Sequence, residues 1–174
     1  INNAGILRDK SFTKGSLEDF RLVLDVHLMG TVHCTKACWE IMREQAYGRI
    51  LVTTSSSGLY GNFGQANYGS AKMGVIGLMN TLAQEGAKYN IRINALAPGA
   101  VPGGGFNAAQ HAFGGKIPLG RPGNAEDMAG PAVAHHESHP ALEALLVGLS
   151  GEFDHAFRFR TVRGPRLFHK HMQA

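Results

Sequence analysis

Ile50-Leu51-Val52-Thr53-Thr54 runs directly into Ser55, and Ile91-Arg92-Ile93-Asn94-Ala95-Leu96-Ala97 closes on Pro98-Gly99. The first run is short, apolar and rich in β-branched residues, the mark of a strand buried on both faces. The second reads as another strand. Between them, Ser55 to Gly64 is rich in Ser and Gly and is expected to be a loop. A helix is expected from about Gln65 or Tyr68 to Lys88. Its Gly69, Ser70, Ala71, Gly74 and Gly77 would let another element approach closely. A strand, a helix and a further strand in this order imply a parallel pairing with a helical crossover.

Upstream, Ser16 followed by Leu17-Glu18-Asp19-Phe20 is a helix start, with a serine cap and acids in the first turn. Phe20, Leu22, Val23, Val26 and Leu28, then Val32, Ala37, Trp39, Ile41 and Met42, predict one long, largely buried helix. It should end near Ala46-Tyr47-Gly48, where glycine supplies a left-handed cap. Ile1 to Gly5 read as the end of a strand and a turn, with no strand of normal length before them, so the expectation is a fragment. The fold class is therefore α/β, a doubly wound parallel sheet (Rossmann-like) lacking its first strands, with helices on both faces.

Downstream, Val101 to Gly115 is Gly-rich, and Ile117 to Arg121 leads to a capped helix start at Asn124 to Ala129. Leu142 to Val147 fits either a helix end or a last strand. The expected division is a core over residues 1–134 and a divergent C-terminal segment of the same domain over residues 135–174. Seven of the nine histidines fall between His111 and His171. His135, His136 and His139, or His169 and His171, lack a cysteine or carboxylate to complete a defined shell, so no metal site is expected.

A chain of 174 residues with 44% hydrophobic and 17% charged residues fits one globular domain. No apolar run reaches the roughly 18 residues that a membrane span needs, and no signal peptide is visible. No membrane partner is expected, and the expected compartment is the cytoplasm. The formal charge of +4 owes much to Arg158, Arg160, Arg163, Arg166 and Lys170, late in the chain and beyond its motif-rich part, with no aromatic–basic pattern of the kind that RNA-binding sheets use. Nucleic acid is therefore not an expected partner. Cys34 and Cys38 share one helical face. They are expected to be buried, reduced, small apolar side chains rather than a disulfide.

The chemistry centres on Tyr68-Gly69-Ser70-Ala71-Lys72, where Tyr68 and Lys72 are one helical turn apart. A phenol titrates near pH ~10, too high for efficient proton transfer near neutrality, and a neighbouring ammonium favours the phenolate. Such a pair alone is more often structural. Ser55, however, ends a strand thirteen residues earlier, and ligands of open parallel sheets bind beyond the carboxyl ends of the strands. The plainer role for Ser55 is a helix cap or a loop hydrogen bond.

Asn2-Asn3-Ala4-Gly5, the Ser55 strand end, Tyr68 to Lys72 and Pro98-Gly99 occur in the order and spacing of the short-chain dehydrogenase/reductase family, which this chain resembles. Asn3 to Phe12 and Gly61 to Tyr68 look like the (3R)-hydroxyacyl-CoA dehydrogenase unit of multifunctional β-oxidation enzymes, of the peroxisomal type. The likeness is strong from Ile1 to Gly99 and resumes over Ile117 to Ala134. It implies Tyr68 as general acid–base, Lys72 lowering the tyrosine's pKa and holding the nicotinamide ribose, and Ser55 orienting the reacting oxygen. Asn3, Ala4 and Gly5 would line the cofactor cleft, and Pro98 and Gly99 would border the nicotinamide.

The resemblance further implies hydride transfer between NAD, with NADP as the alternative, and a 3-hydroxyacyl or 3-oxoacyl thioester. It implies a homo-oligomer formed through the two long helices, and a peroxisomal location if the chain is part of a eukaryotic multifunctional enzyme. A truncated remnant acting as an interaction protein is the reading of a different class. Three departures stand out. The family's Gly-rich pyrophosphate turn would lie before Ile1. His27 replaces the helix asparagine of most members, as it often does in the subgroup. Ala100-Val101-Pro102-Gly103 lacks the threonine common after Pro-Gly.

Overall fold

A computed structural model describes residues 1–99 together with Val101, Asn124, Ala144–Leu145 and Arg158–Phe159. Ser16 is extended, and its hydroxyl accepts the Asp19 N–H at 3.0 Å, which opens helix α1 (Leu17–Leu24) with Glu18 and Asp19 in its first turn. The chain stays helical beyond α1, but through a π turn (Asp25–Met29) before continuing as α2 (Gly30–Glu44). The single long helix read from the sequence is thus one run with a wider turn at its centre.

That run is far less buried than its apolar content suggests. Val23, His27, Thr31 and Thr35 are buried, every fourth residue, while Leu22, Met29 and Ile41 are exposed. One narrow stripe faces α4 (Ala66–Gly86), where a Cβ built on Gly74 would lie 3.0 Å from Leu28 Cδ2. The glycine there permits the close approach expected of it. Cys34 and Cys38 are exposed, against the expectation of burial. Cys34 turns about 100° from Thr35, and Cys38 lies one turn beyond Thr35, where the buried stripe ends.

The left-handed turn after α2 is made by Ala46, at φ 51°, and not by Gly48. Gly48 is needed for space instead: a Cβ there would sit 2.8 Å from Met42 Sδ and 3.0 Å from Ile91 Cγ2. It begins β1 (Gly48–Thr53), which pairs in parallel with β2 (Ile91–Leu96), in register from Gly48 opposite Ile91 to Thr53 opposite Leu96. On its other edge β1 takes Asn2, in a parallel bridge to Val52. Asn2 N–H donates to Leu51 O at 2.8 Å, and Thr53 N–H to Asn2 O at 3.0 Å.

Three parallel segments therefore end at one edge, and the fold is a parallel, Rossmann-like α/β arrangement. Ile50, Val52, Ile91 and Ile93 of the strands pack against Val75, Ile76 and Met79 of α4, with Leu28, Trp39 and Met42 alongside. Burial of this apolar surface is the main driving term for such a layer.

The stretch expected to be loop contains a short helix, α3 (Ser56–Tyr60). The second long helix is α4, extended by a 3-10 turn over Ala87–Tyr89. Ala144–Leu145 (β3) and Arg158–Phe159 (β4) pair antiparallel, so the strand alternative for Leu142 to Val147 holds for two residues. The helix expected at Asn124 to Ala129, apart from Asn124 itself, lies outside the described residues. So do the Gly-rich stretch beyond Val101, the histidine-rich segment and the boundary at residue 134. Among the described residues no helix is long and apolar enough to cross a membrane.

Candidate active site

The carboxyl ends of β1 and β2 meet the start of α4, and hydrogen bonds tie the three together. Thr54 N–H donates to Leu96 O at 2.8 Å, and Ser56 N–H to Pro98 O at 3.2 Å. The buried Thr54 hydroxyl donates to the Lys72 carbonyl at 2.7 Å. In return, the Lys72 ammonium reaches back to Thr53 O, also at 2.7 Å. The strand end and the second turn of α4 grip each other through both backbone and side chain of Lys72.

Ser55 sits at the tip of this junction. Its hydroxyl accepts the Ser57 N–H at 3.2 Å, capping α3, and its side chain lies near enough to Tyr68 to favour the phenolate. The cap role and the site role are therefore carried by one side chain. Tyr68 lies in the first turn of α4, with the Lys72 Nζ 5.5 Å from its ring centroid. Ser55, Tyr68 and Lys72 thus come together at one edge of the sheet.

Burial dominates the electrostatics. It raises the Tyr68 hydroxyl above the ordinary phenol range, as does the charge of Asp9, while the Ser55 hydrogen bond pulls it down. Lys72, 5% exposed, is itself pushed down to about 8 by desolvation. The expected lowering of the tyrosine by a neighbouring ammonium is not the net effect, because the same low-polarity surroundings disfavour both charged forms.

Asn3, Ala4 and Gly5 follow the bridged Asn2 at the same edge and are exposed. Pro98 and Gly99 follow β2 there. Gly5 lies against His27: a Cβ on it would come within 2.5 Å of the imidazole Cε1. His27, 4% exposed, projects from the π turn, and its ring meets the Tyr68 ring edge-on at 5.0 Å between centroids. Its Nε2 lies 2.8 Å from Ile6 O and 3.1 Å from Ile6 N. A neutral tautomer satisfies one of these two, and Nδ1 is buried without a partner. Burial lowers the His27 pKa first, and the charge of Lys72 lowers it further, while the Ile6 bond raises it.

From the sequence His27 is only a departure from a pattern, and Thr54 only the last residue of a strand run. The π turn that aims the imidazole at Tyr68 leaves no compositional trace. Among the described residues no group of three or more metal-ligating side chains forms.

The family model described as short chain dehydrogenase matches residues 1–111. Peroxisomal multifunctional enzyme type 2 of Mus musculus is 58% identical over 100 residues, 58% of this chain and 14% of the mouse protein. A 3-oxoacyl-[acyl-carrier-protein] reductase of Synechocystis is 44% identical over 131 residues, 75% of this chain and 53% of that protein. The solved full-length peroxisomal multifunctional enzyme type 2 from Drosophila melanogaster superposes with a TM-score of 0.62 at 38% identity, over 91% of this chain and 27% of that one. The chain spans about a third or less of the length of the relatives that share more than half of its residues in the matched region.

Proposed function

Because this chain belongs to the short-chain dehydrogenase family, we propose that it carries the proton-transfer half of an oxidoreductase active site. That site moves a hydride between NAD or NADP and the C3 position of a 3-hydroxyacyl or 3-oxoacyl thioester. The observation that carries this reading is the junction at which the Lys72 ammonium, fastened to Thr53 O at the end of β1, lies 5.5 Å from the Tyr68 ring centroid, with Ser55 two residues further along that strand end. Thioester substrates are favoured because relatives named for peroxisomal multifunctional enzymes and for 3-oxoacyl reduction share this stretch.

The residues present fit a nicotinamide ribose beside Lys72. An ammonium has three donors; one goes to Thr53 O, and the charge is otherwise held in a poorly solvated place. The nicotinamide, when bound, supplies the hydride acceptor or donor. In alcohol oxidation the Tyr68 phenolate takes the hydroxyl proton as the C3 hydride departs. In carbonyl reduction the Tyr68 phenol returns that proton to the oxygen. Ser55 holds the reacting oxygen within reach of Tyr68, and His27 walls the other side of the ring. Reduction of a 3-oxoacyl thioester is the second reading, favoured by the name of the Synechocystis relative, and NADPH would be its hydride donor. Self-association through the long helices belongs to the same proposal, with Leu22, Ile41 and Met73 exposed on them.

The test is Tyr68→Phe in the protein that carries this chain, assayed on 3-hydroxybutyryl and 3-oxobutyryl thioesters with each nucleotide. Loss of about 10²- to 10⁴-fold in kcat is expected, as for removal of a general acid–base, with the fold intact by circular dichroism. Turnover near the wild-type rate would remove Tyr68 from the chemistry.

A further inference from the structure

The segment after Gly5 does not leave the site; it runs back across the start of α4. Ile6 is held by His27. Arg8 O accepts from Asn67 Nδ2 at 3.0 Å. The Asp9 carboxylate accepts from Gln65 Nε2 at 2.7 Å. Lys10 N–H donates to Gly64 O at 2.9 Å. Residues 8, 9 and 10 thus pair in reverse order with 67, 65 and 64, like a strap fastened at three points.

The fastening residues are themselves held. Asn62 Nδ2 donates to Gln65 Oε1 at 3.1 Å, and the buried Asn67 accepts the Tyr68 N–H on Oδ1 at 2.7 Å. Arg8 and Lys10 both lie 3.6 Å from the Asp19 carboxylate of α1. Their charges are therefore turned to α1, whereas the charge of Asp9 is felt by Tyr68.

We propose that Gln65 and Asn67 are positioning residues for the reacting tyrosine. Together they fasten the strap Arg8–Lys10 across the start of α4 and so fix the Asp9 carboxylate at the helix turn that carries Tyr68. This rests on the reading of Tyr68 as the proton-transfer group. The charged and titratable groups around that tyrosine are Asp9 from the strap, His27 from the π turn and Lys72 from its own helix, with the Ser55 side chain favouring its phenolate. Asp9 is the one whose placement depends on the strap, and being exposed it acts through water and is screened by salt.

The test is the pH profile of kcat/KM for alcohol oxidation at low ionic strength, in wild type, Gln65→Ala, Asp9→Asn and the double variant, with folding checked by circular dichroism. The ascending limb reports loss of the proton from Tyr68. A negative charge beside a phenol disfavours the phenolate, so both single variants move the limb to lower pH. The Gln65→Ala shift disappears in the Asp9→Asn background, because positioning a carboxylate that is gone has no effect. Raising the salt concentration shrinks the shift in Gln65→Ala. A limb that stays in place in Gln65→Ala, or a shift that persists undiminished in the double variant, overturns the proposal. A merely structural role for Gln65 lowers the plateau without moving the limb. Tyr68→Phe separates the two failures: normal turnover there refutes the tyrosine reading itself. An inactive Tyr68→Phe with an unmoved limb in Gln65→Ala refutes only the strap.

Discussion

Lys72→Met replaces a buried ammonium by an apolar side chain of similar length, and it should make the protein more stable while removing its activity. The folded chain holds Lys72 at about 8, against 10.5 for the ordinary side chain, with desolvation as the cause. At about 1.4 kcal/mol per pH unit, that difference amounts to roughly 3 kcal/mol of penalty carried by the charged form. Methionine escapes the penalty but leaves Thr53 O without the donor it now has at 2.7 Å, a loss of about 1–2 kcal/mol. The net expectation near neutral pH is a gain of about 1–2 kcal/mol, the difference between those two terms. The sign also fixes the pH dependence. Between about 8 and 10.5 the unfolded chain binds the proton that the folded chain has released, so wild-type stability rises with pH across that window. Below about 8 both states are protonated and the penalty is constant. The advantage of Lys72→Met is therefore largest below pH 8 and shrinks to nothing or reverses toward 10.5. Urea unfolding of both proteins at half-unit steps from pH 6.5 to 10.5 reads this directly, and kcat on a 3-hydroxyacyl thioester reads the loss of function. A variant less stable than wild type at pH 7, with a curve parallel to wild type up to 10.5, would refute the claim that burial sets the state of Lys72.

Gly5→Ala forces a methyl to within 2.5 Å of His27 Cε1, so it should cost about 1–3 kcal/mol, as overpacking does, and lower kcat. Thermal unfolding should show that His27→Ser in the same chain recovers part of that loss, and no recovery would mean the clash is elsewhere. His27 has a folded pKa below 6.5, so the unfolded state takes its proton first on acidification, and stability falls as pH drops below 6.5. His27→Asn should flatten that part of the stability curve, as followed by urea midpoints between pH 7 and pH 5.

The fold was legible where one element meets one solvent regime. The Ile50–Val52 run is apolar on both faces because β1 lies between Asn2 and β2 and under α4, and composition alone reports that; in β2, Ile91 and Ile93 pack against α4 while Arg92 and Asn94 alternate with them. The Ser16 start was legible because capping is local. The run after it was misread in its burial. Apolar residues at positions such as Leu22 and Ile41 count toward periodicity whether or not a partner covers them, and the buried stripe actually carries His27, Thr31 and Thr35. A π turn shifts that stripe, and sequence periodicity assumes a constant turn. The helix α3 within the Ser- and Gly-rich stretch was missed because the Ser55 cap offsets the weak helix propensity of residues such as Gly58.

The candidate site was legible as a set of residues but not as an electrostatic arrangement. Tyr68 and Lys72 were paired by spacing, and spacing predicts that an ammonium helps a phenolate. Spacing carries no information about water. Once both groups are folded against the end of β1, desolvation acts on each separately and sets their proton affinities in opposite directions, up for Tyr68 and down for Lys72. The free side chains are nearly matched, at 10.0 and 10.5; folding moves them apart, Tyr68 above 10.0 and Lys72 to about 8, so the phenol holds its proton more tightly than the ammonium does. The same burial opposes a phenolate, and the Ser55 side chain is what offsets it. Its hydroxyl is fixed as the cap of α3, which also binds the carboxyl end of β2 through Ser56 and Pro98. The serine whose plainer role is a cap is thus also the one whose placement depends on the sheet edge, and a chain that loses the β1–β2 register loses the placement of Ser55 toward Tyr68 with it.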